Sequence, residues 1–189
     1  MKRIGGVAGL ALLVVAMLSC GRPAVAQEST ATGPALVLLV RHAEEAQEPA
    51  DDPGITAEGK TRAEALAAAL RDAGVTAVIT SPLLRTRETG EPLATALGLR
   101  PTVVPIISTV EAHIAAVAVA VRKRNGVVVV VGHSNTIPQI IAALGGPTLP
   151  EICEDVYDDL FGLVMVDGKT DLVRGRYGPA NAKADPACK

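Results

Sequence analysis

The chain has 189 residues, 49% of them hydrophobic and 20% charged, with a formal net charge of -2. That balance excludes a disordered polyelectrolyte and calls for a packed core, and the length fits one domain of ordinary size plus an export segment. With no Trp, one Phe and two Tyr, the core has to be built from Val, Leu, Ile and Ala, and too few rings remain to stack nucleic-acid bases.

Lys2 and Arg3 precede an uncharged run from Ile4 to Leu18, followed by Ser19, Cys20 and Gly21 and then by Ala24-Val25-Ala26. This is the three-part pattern of a secretory signal, and the run is shorter than the ~20 residues of a membrane span. Residues 1–26 are therefore read as a signal peptide that directs the protein to the bacterial periplasm or cell envelope. Two processing outcomes compete. Cleavage before Cys20 with lipid on its thiol resembles a bacterial lipoprotein signal and is the one route to membrane attachment. Ala24 and Ala26 fit ordinary cleavage after Ala26, and Met17 stands where lipoprotein signals usually carry Leu, which favours free release.

Cleavage after Ala26 removes Lys2, Arg3 and Arg22 and no acid, leaving 15 basic against 20 acidic residues and a charge of -5. Binding to nucleic acid or anionic lipid is disfavoured by that charge. Cys153 and Cys188 remain, an even pair that an oxidising compartment allows to bridge; a buried thiol and a loose tail thiol are the alternative.

Residues 27–34 form a polar linker. Beyond it, short runs rich in Val, Ile and Leu recur at 35–40, 75–80, 102–106, 127–131 and 160–166, each bounded by Gly, Pro or charged residues, and read as buried strands. Between them, 56–73, 83–97, 109–125 and 136–144 have helical period, each closed by a glycine. In the first, Thr56 is placed to cap and Ala63, Leu66, Ala67 and Leu70 share one face. Strands apolar throughout, alternating with helices, predict an α/β three-layer sandwich: a mostly parallel central sheet flanked by helices. The turn Asp167-Gly168-Lys169 predicts a closing hairpin with 171–177, hence an antiparallel edge strand. The domain spans 35–178 and 179–189 is a tail; the sequence sets no oligomeric state.

In such sheets ligands bind beyond the carboxyl ends of the strands. The first strand ends in Val40-Arg41-His42-Ala43, the second in Ser81-Pro82 before a helix whose first turn carries Arg85, and the fourth in Gly132-His133-Ser134. Two arginines and two histidines at one mouth call for an anion, and Arg suits phosphate oxygens. Cations and burial keep His42 neutral, which makes it a candidate nucleophile toward phosphorus.

These residues resemble the histidine phosphatase, or phosphoglycerate mutase-like, superfamily in its short bacterial branch. Leu39-Val40-Arg41-His42 matches its opening signature. Ser81-Pro82-Leu83-Leu84-Arg85 followed by Glu88-Thr89 resembles the second, and Gly132-His133-Ser134 the third. The resemblance runs from about Leu36 to Leu144. It implies that His42 becomes phosphorylated while Arg41, Arg85 and His133, aided by Ser134, hold the phosphoryl oxygens. Water then hydrolyses the phosphohistidine, with no metal and no cofactor. The implied substrate is a small phosphorylated molecule, a phosphomonoester or phosphohistidine. The family supplies its general acid after the third strand, where Glu111 is the candidate; an acid stabilising a helix end is the alternative. Ala43 replaces the commoner Gly and Glu88 stands where Gln is frequent. The stretch 89–111 is too short for the lid of larger mutases, so a phosphatase is expected over a mutase. A phosphate-binding protein of the same fold without turnover is the competing reading.

His113 is expected on a helix surface or partly buried, with contact to the leaving group as the sharper reading, and Thr136 as a helix start. Glu44, Glu45, Glu48, Asp51 and Asp52 are expected in a solvated acidic loop beside the pocket, with a filter against highly charged substrates as the sharper reading. A zinc site is disfavoured because arginines flank both His42 and His133.

Overall fold

The computed structural model describes residues 33–181 apart from Asp167. The segment read as a signal peptide and linker, through residue 32, lies outside them, as does Cys188. Strands β1 (Pro34–Arg41), β2 (Val75–Thr80), β3 (Thr102–Val103), β4 (Gly126–Gly132), β5 (Asp159–Val166) and β6 (Lys169–Arg176) form one sheet. Helices α1 (Ala57–Leu70), α2 (Leu84–Ala96), α3 (Val110–Arg122) and α4 (Thr136–Ala143) connect the first four strands and follow β4. Every expected element is present. β3 is cut short from the expected 102–106: Val104 N still donates to Thr80 O at 2.9 Å, but Pro105 has no N–H with which to continue the ladder.

The strand order is β3-β2-β4-β1-β5-β6, with β1 to β4 parallel. The edge is antiparallel as expected: β5 runs against β1 and β6 pairs antiparallel with β5, so that β5 alone is reversed and β6 again runs in the direction of β1 to β4. After α4 the chain passes back over the carboxyl edge of the sheet, so β5 starts there and runs the other way.

Alternation along the strands divides the core between the two faces. Val37, Leu39, Val128 and Val130 pack with Val117 and Val121 of α3 and Ile137 and Ile141 of α4. Leu38, Val40, Val129 and Val131 pack with Leu66 and Leu70 of α1 and Leu93 of α2. α1 begins as expected, with Thr56 Oγ1 accepting from Gly59 N at 3.1 Å.

The most deeply buried charged side chain among the described residues lies against this packing. Arg62 of α1 is 1% exposed; its Nε and Nη2 hold the Glu44 carboxylate at 2.6–3.1 Å, and its Nη1 donates to Pro179 O at 2.8 Å. Asn181 Oδ1 accepts from Tyr157 N, so the ordered domain continues past the expected boundary at 178. Cys153 is half-buried and disulfide-bonded; the partner expected for it, Cys188, is outside the described residues.

Candidate active site

Because β4 lies between β1 and β2, the carboxyl ends of these three parallel strands are neighbours. Arg41 ends β1 and His42 follows it; Ser81 follows β2; Gly132 ends β4 and His133 follows. The rings of His42 and His133 come to 5.3 Å, edge to face. Arg41, His42, Arg85, His133 and Ser134 line one cleft of about 430 Å³, shared with Glu45, His113 and Glu154.

His42 is 3% exposed and its backbone N donates to Gly132 O at 2.9 Å. Its Nδ1 lies 2.8 Å from Ala43 O. A carbonyl only accepts, so Nδ1 carries the proton and Nε2 the lone pair. Ala43 N donates in turn to Thr89 Oγ1 at 2.9 Å, and Thr89 Oγ1 to Arg85 O at 2.7 Å. The second motif thus fixes the loop that orients the imidazole of the first. Burial, aided by the charges of Arg41 and Arg85 and opposed by the Ala43 carbonyl, lowers the His42 pKa to about 4. At neutral pH the ring is an uncharged base with a free lone pair.

Arg41 is held mainly by the segment between α4 and β5. Its Nη1 donates to Cys153 O, Glu154 O and Val156 O, its Nη2 to Glu154 Oε2 at 2.6 Å, and its plane lies 4.2 Å over the Tyr157 ring. Arg41 Nε is left buried without a hydrogen-bond partner, and so is Arg85 Nε. Glu45 Oε2 is 3.1 Å from Arg85 Nε but out of line with its N–H, a charge contact and not a hydrogen bond. Two buried, unmatched cationic donors beside one neutral histidine are destabilising by themselves and suit an anion. For Arg41 the geometry narrows the expected oxygen-holding role to Nε, since both terminal nitrogens are engaged by the loop.

His133 Nε2 lies 3.1 Å from Ser81 Oγ, which lies 2.8 Å from Thr86 Oγ1. The Thr86 hydroxyl donates to backbone carbonyl oxygen, so Ser81 donates to Thr86 and accepts from His133 Nε2–H. Burial first, then the neighbouring His42 and Arg85, lowers the His133 pKa to about 3. Thr136 Oγ1 accepts from His133 N and so secures the backbone after β4, while Asn135 is the cap residue of α4. Ser134 Oγ donates to Glu154 Oε1 at 2.8 Å.

These shifts predict how stability varies with pH. A histidine whose folded pKa is depressed binds fewer protons folded than unfolded, so its contribution is complete above about pH 6.5 and is lost as pH falls toward 4. The melting temperature is expected to fall between pH 7 and 4.5, and the slope to flatten in the His42→Ala variant. Calorimetry across that range checks it; equal slopes in the two proteins would contradict it.

Glu111 departs from its expected role. It lies on the first turn of α3, fully exposed and outside the residues lining the cleft. Its own backbone N–H and the Thr109 hydroxyl hold its carboxylate below the usual range, as befits a helix-end acid. Glu111→Ala is therefore expected to leave kcat/KM on an aryl phosphate within about twofold of the parent, the range of ordinary surface changes.

The cleft also holds residues that motif spacing did not single out. Of the two placements expected for His113 the buried one holds: it is 5% exposed within α3, with Nδ1 3.2 Å from Pro105 O. The acidic loop is more than solvated. Glu44 pairs with Arg62, Asp52 Oδ1 accepts from Leu84 N at the start of α2, and Glu45 enters the cleft. Glu154 and Tyr157 act on Arg41 from more than a hundred residues away, and no local pattern marks them.

The arrangement defines an α/β protein with a buried neutral histidine facing an anion site at a sheet's carboxyl edge. Residues 37–108, which carry the first two motifs, match the model of the histidine phosphatase superfamily, branch 1. No curated protein matches the sequence significantly. Among solved structures, the protein histidine phosphatase SixA complexed with tungstate is 19% identical, with 76% of this chain and 96% of that one covered and a TM-score of 0.57. A mycobacterial glucosyl-3-phosphoglycerate phosphatase is 14% identical over 77% and 99%, TM-score 0.56. Phosphoserine phosphatase from Entamoeba histolytica, bound to 3-phosphoglyceric acid, is 16% identical over 77% and 97%, TM-score 0.56. At these identities the likeness establishes the fold.

Proposed function

We propose that the protein is an exported phosphatase that hydrolyses phosphomonoesters or phosphohistidine through a phosphohistidine on His42. The observation that carries this reading is the His42 imidazole, held by Ala43 O through Nδ1, beside the buried unpaired N–H groups of Arg41 and Arg85. Nε2 attacks phosphorus and the bond to the leaving oxygen or nitrogen breaks. The Arg41 and Arg85 N–H groups hold equatorial oxygens, where negative charge gathers. Water then attacks the same phosphorus, the P–N bond breaks, and His42 is restored.

Each of these steps uses only side chains, and the guanidinium groups of Arg41 and Arg85, whose charges act on His42, repel a dication. Metal-independent turnover follows. The basic start, apolar run and small-residue cleavage site at 1–26 support export. The SixA and phosphoserine phosphatase folds support the reaction class. Beyond Arg41 and Arg85, the charged residues lining the cleft are Glu45, Glu151 and Glu154, with Leu83, Ile106 and Val110 on its apolar side. That lining favours leaving groups without a carboxylate.

The test is to quench the protein during turnover of 4-nitrophenyl phosphate. Protein-bound phosphate that is stable in base and lost in acid, as a P–N bond requires, is expected on the peptide containing His42. Turnover with no such species would refute the covalent route.

A further inference from the structure

With Glu111 outside the cleft, the leaving oxygen needs another source of its proton. We propose that Glu45 is that source, and that in the second half-reaction it takes a proton from the attacking water; this rests on the phosphohistidine reading above. Glu45 Oε2 lies 3.7 Å from His42 Nε2 and 3.1 Å from Arg85 Nε, between the nucleophile and an oxygen-holding donor.

The other acids fit less well. Glu154 has one oxygen on Arg41 Nη2 and the other on Ser134 Oγ, so both are engaged. Glu44 is committed to the buried Arg62. Glu151 lines the cleft but makes no ion pair with His42 or Arg85.

The backbone around Glu45 is fixed while its side chain has room to move. Glu45 bridges Ile55, Ala46 N donates to Gly54 O at 2.8 Å, and Ile55 N donates to Glu88 Oε2 at 2.7 Å. Gly59 keeps the start of α1 against this loop, where an added Cβ would stand 2.6 Å from Glu44 O. The Glu45 side chain is 42% exposed. An attacking atom stands about 3–3.5 Å from its target, so the carboxylate occupies space that the phosphoryl group takes up. Rotation about its side-chain torsions carries it toward the mouth, on the side from which the leaving group departs.

Protons and bonds balance across the two steps. As Nε2–P forms and P–O breaks, the Glu45 carboxylic acid gives its proton to the leaving oxygen, and the alcohol departs. As water adds to phosphorus and P–N breaks, the Glu45 carboxylate accepts the water proton and becomes the acid again.

The experiment compares wild type with Glu45→Gln on two aryl phosphates of similar shape. 4-Nitrophenyl phosphate has a leaving group that departs without a proton, and phenyl phosphate one that needs it. Because kcat/KM covers the steps through departure of the leaving group, the variant is expected to lose at least about 100-fold on phenyl phosphate and less than tenfold on the nitrophenyl ester. A rapid burst of nitrophenol equal to the enzyme present, followed by slow turnover, is expected as phosphohistidine accumulates. Equal losses on both esters would reduce Glu45 to a structural role, and a gain on both would make it only a competing anion; either result overturns the proposal. Absence of phosphohistidine in the wild type overturns the parent reading as well, and is distinguished by the quench described above.

Discussion

Replacing His42 by alanine is expected to abolish release of phosphate from 4-nitrophenyl phosphate, a loss of about a thousandfold or more, as for removal of other covalent nucleophiles. The reason is positional as well as chemical. His133, 5.3 Å away between ring centres, has one nitrogen engaged by Ser81 and lies on a different strand, so it does not inherit the line of attack. The assay is run in chelator across pH 4 to 8, with parent turnover expected to continue, since no step calls on a metal. Because the His42 pKa is lowered to about 4, the parent is expected to keep a deprotonated nucleophile well below pH 6.5. Phosphate binding through Arg41 and Arg85 is expected to survive in the variant and serves as the check that it folds. Retained turnover would point to a nucleophile other than His42.

Arg62→Met is expected to lower stability by about 3–5 kcal/mol, the range for breaking one side of a buried ion pair. The substitution leaves the Glu44 carboxylate, 15% exposed in its side chain, without its Nε and Nη2 donors, and the carbonyl of Pro179 without Nη1. Urea unfolding at pH 7 measures this as a drop in midpoint at unchanged slope. Changing both partners, Arg62→Met with Glu44→Gln, is expected to recover part of the loss, since no charge is then buried alone. The effect reaches the site as well, because Glu44 O accepts from Thr56 N and so holds the loop that carries Glu45. A loss below about 1 kcal/mol would show that the pair is no better than a surface bridge.

Most of the fold was legible because its signals are local. Five consecutive valines in β4, Val127 to Val131, and the glycines that close each helix mark buried strands and helix ends without reference to the rest of the chain. The three motifs were legible for the same reason: strand ends can be located from sequence, and a parallel sheet gathers them at one edge. Order along the chain and period along each element therefore determined the α/β class, the cleft's position and the grouping of Arg41, His42, Arg85 and His133.

What only the tertiary structure decided depends on contacts between distant segments. Glu154 meets Arg41 because the chain returns over the sheet edge before β5, and the same return sets β5 antiparallel against β1. Glu111 and Glu45 were not separable by sequence, since helical period does not say which side of a first turn faces a cleft. Burial of Arg62 beside Glu44 was hidden as well, for a charge pattern reads as solvated unless the partner that neutralises it is known. Short-range periodicity carries the elements. The direction of a side chain, and the protonation state that follows from it, are set by neighbours that the sequence places far away.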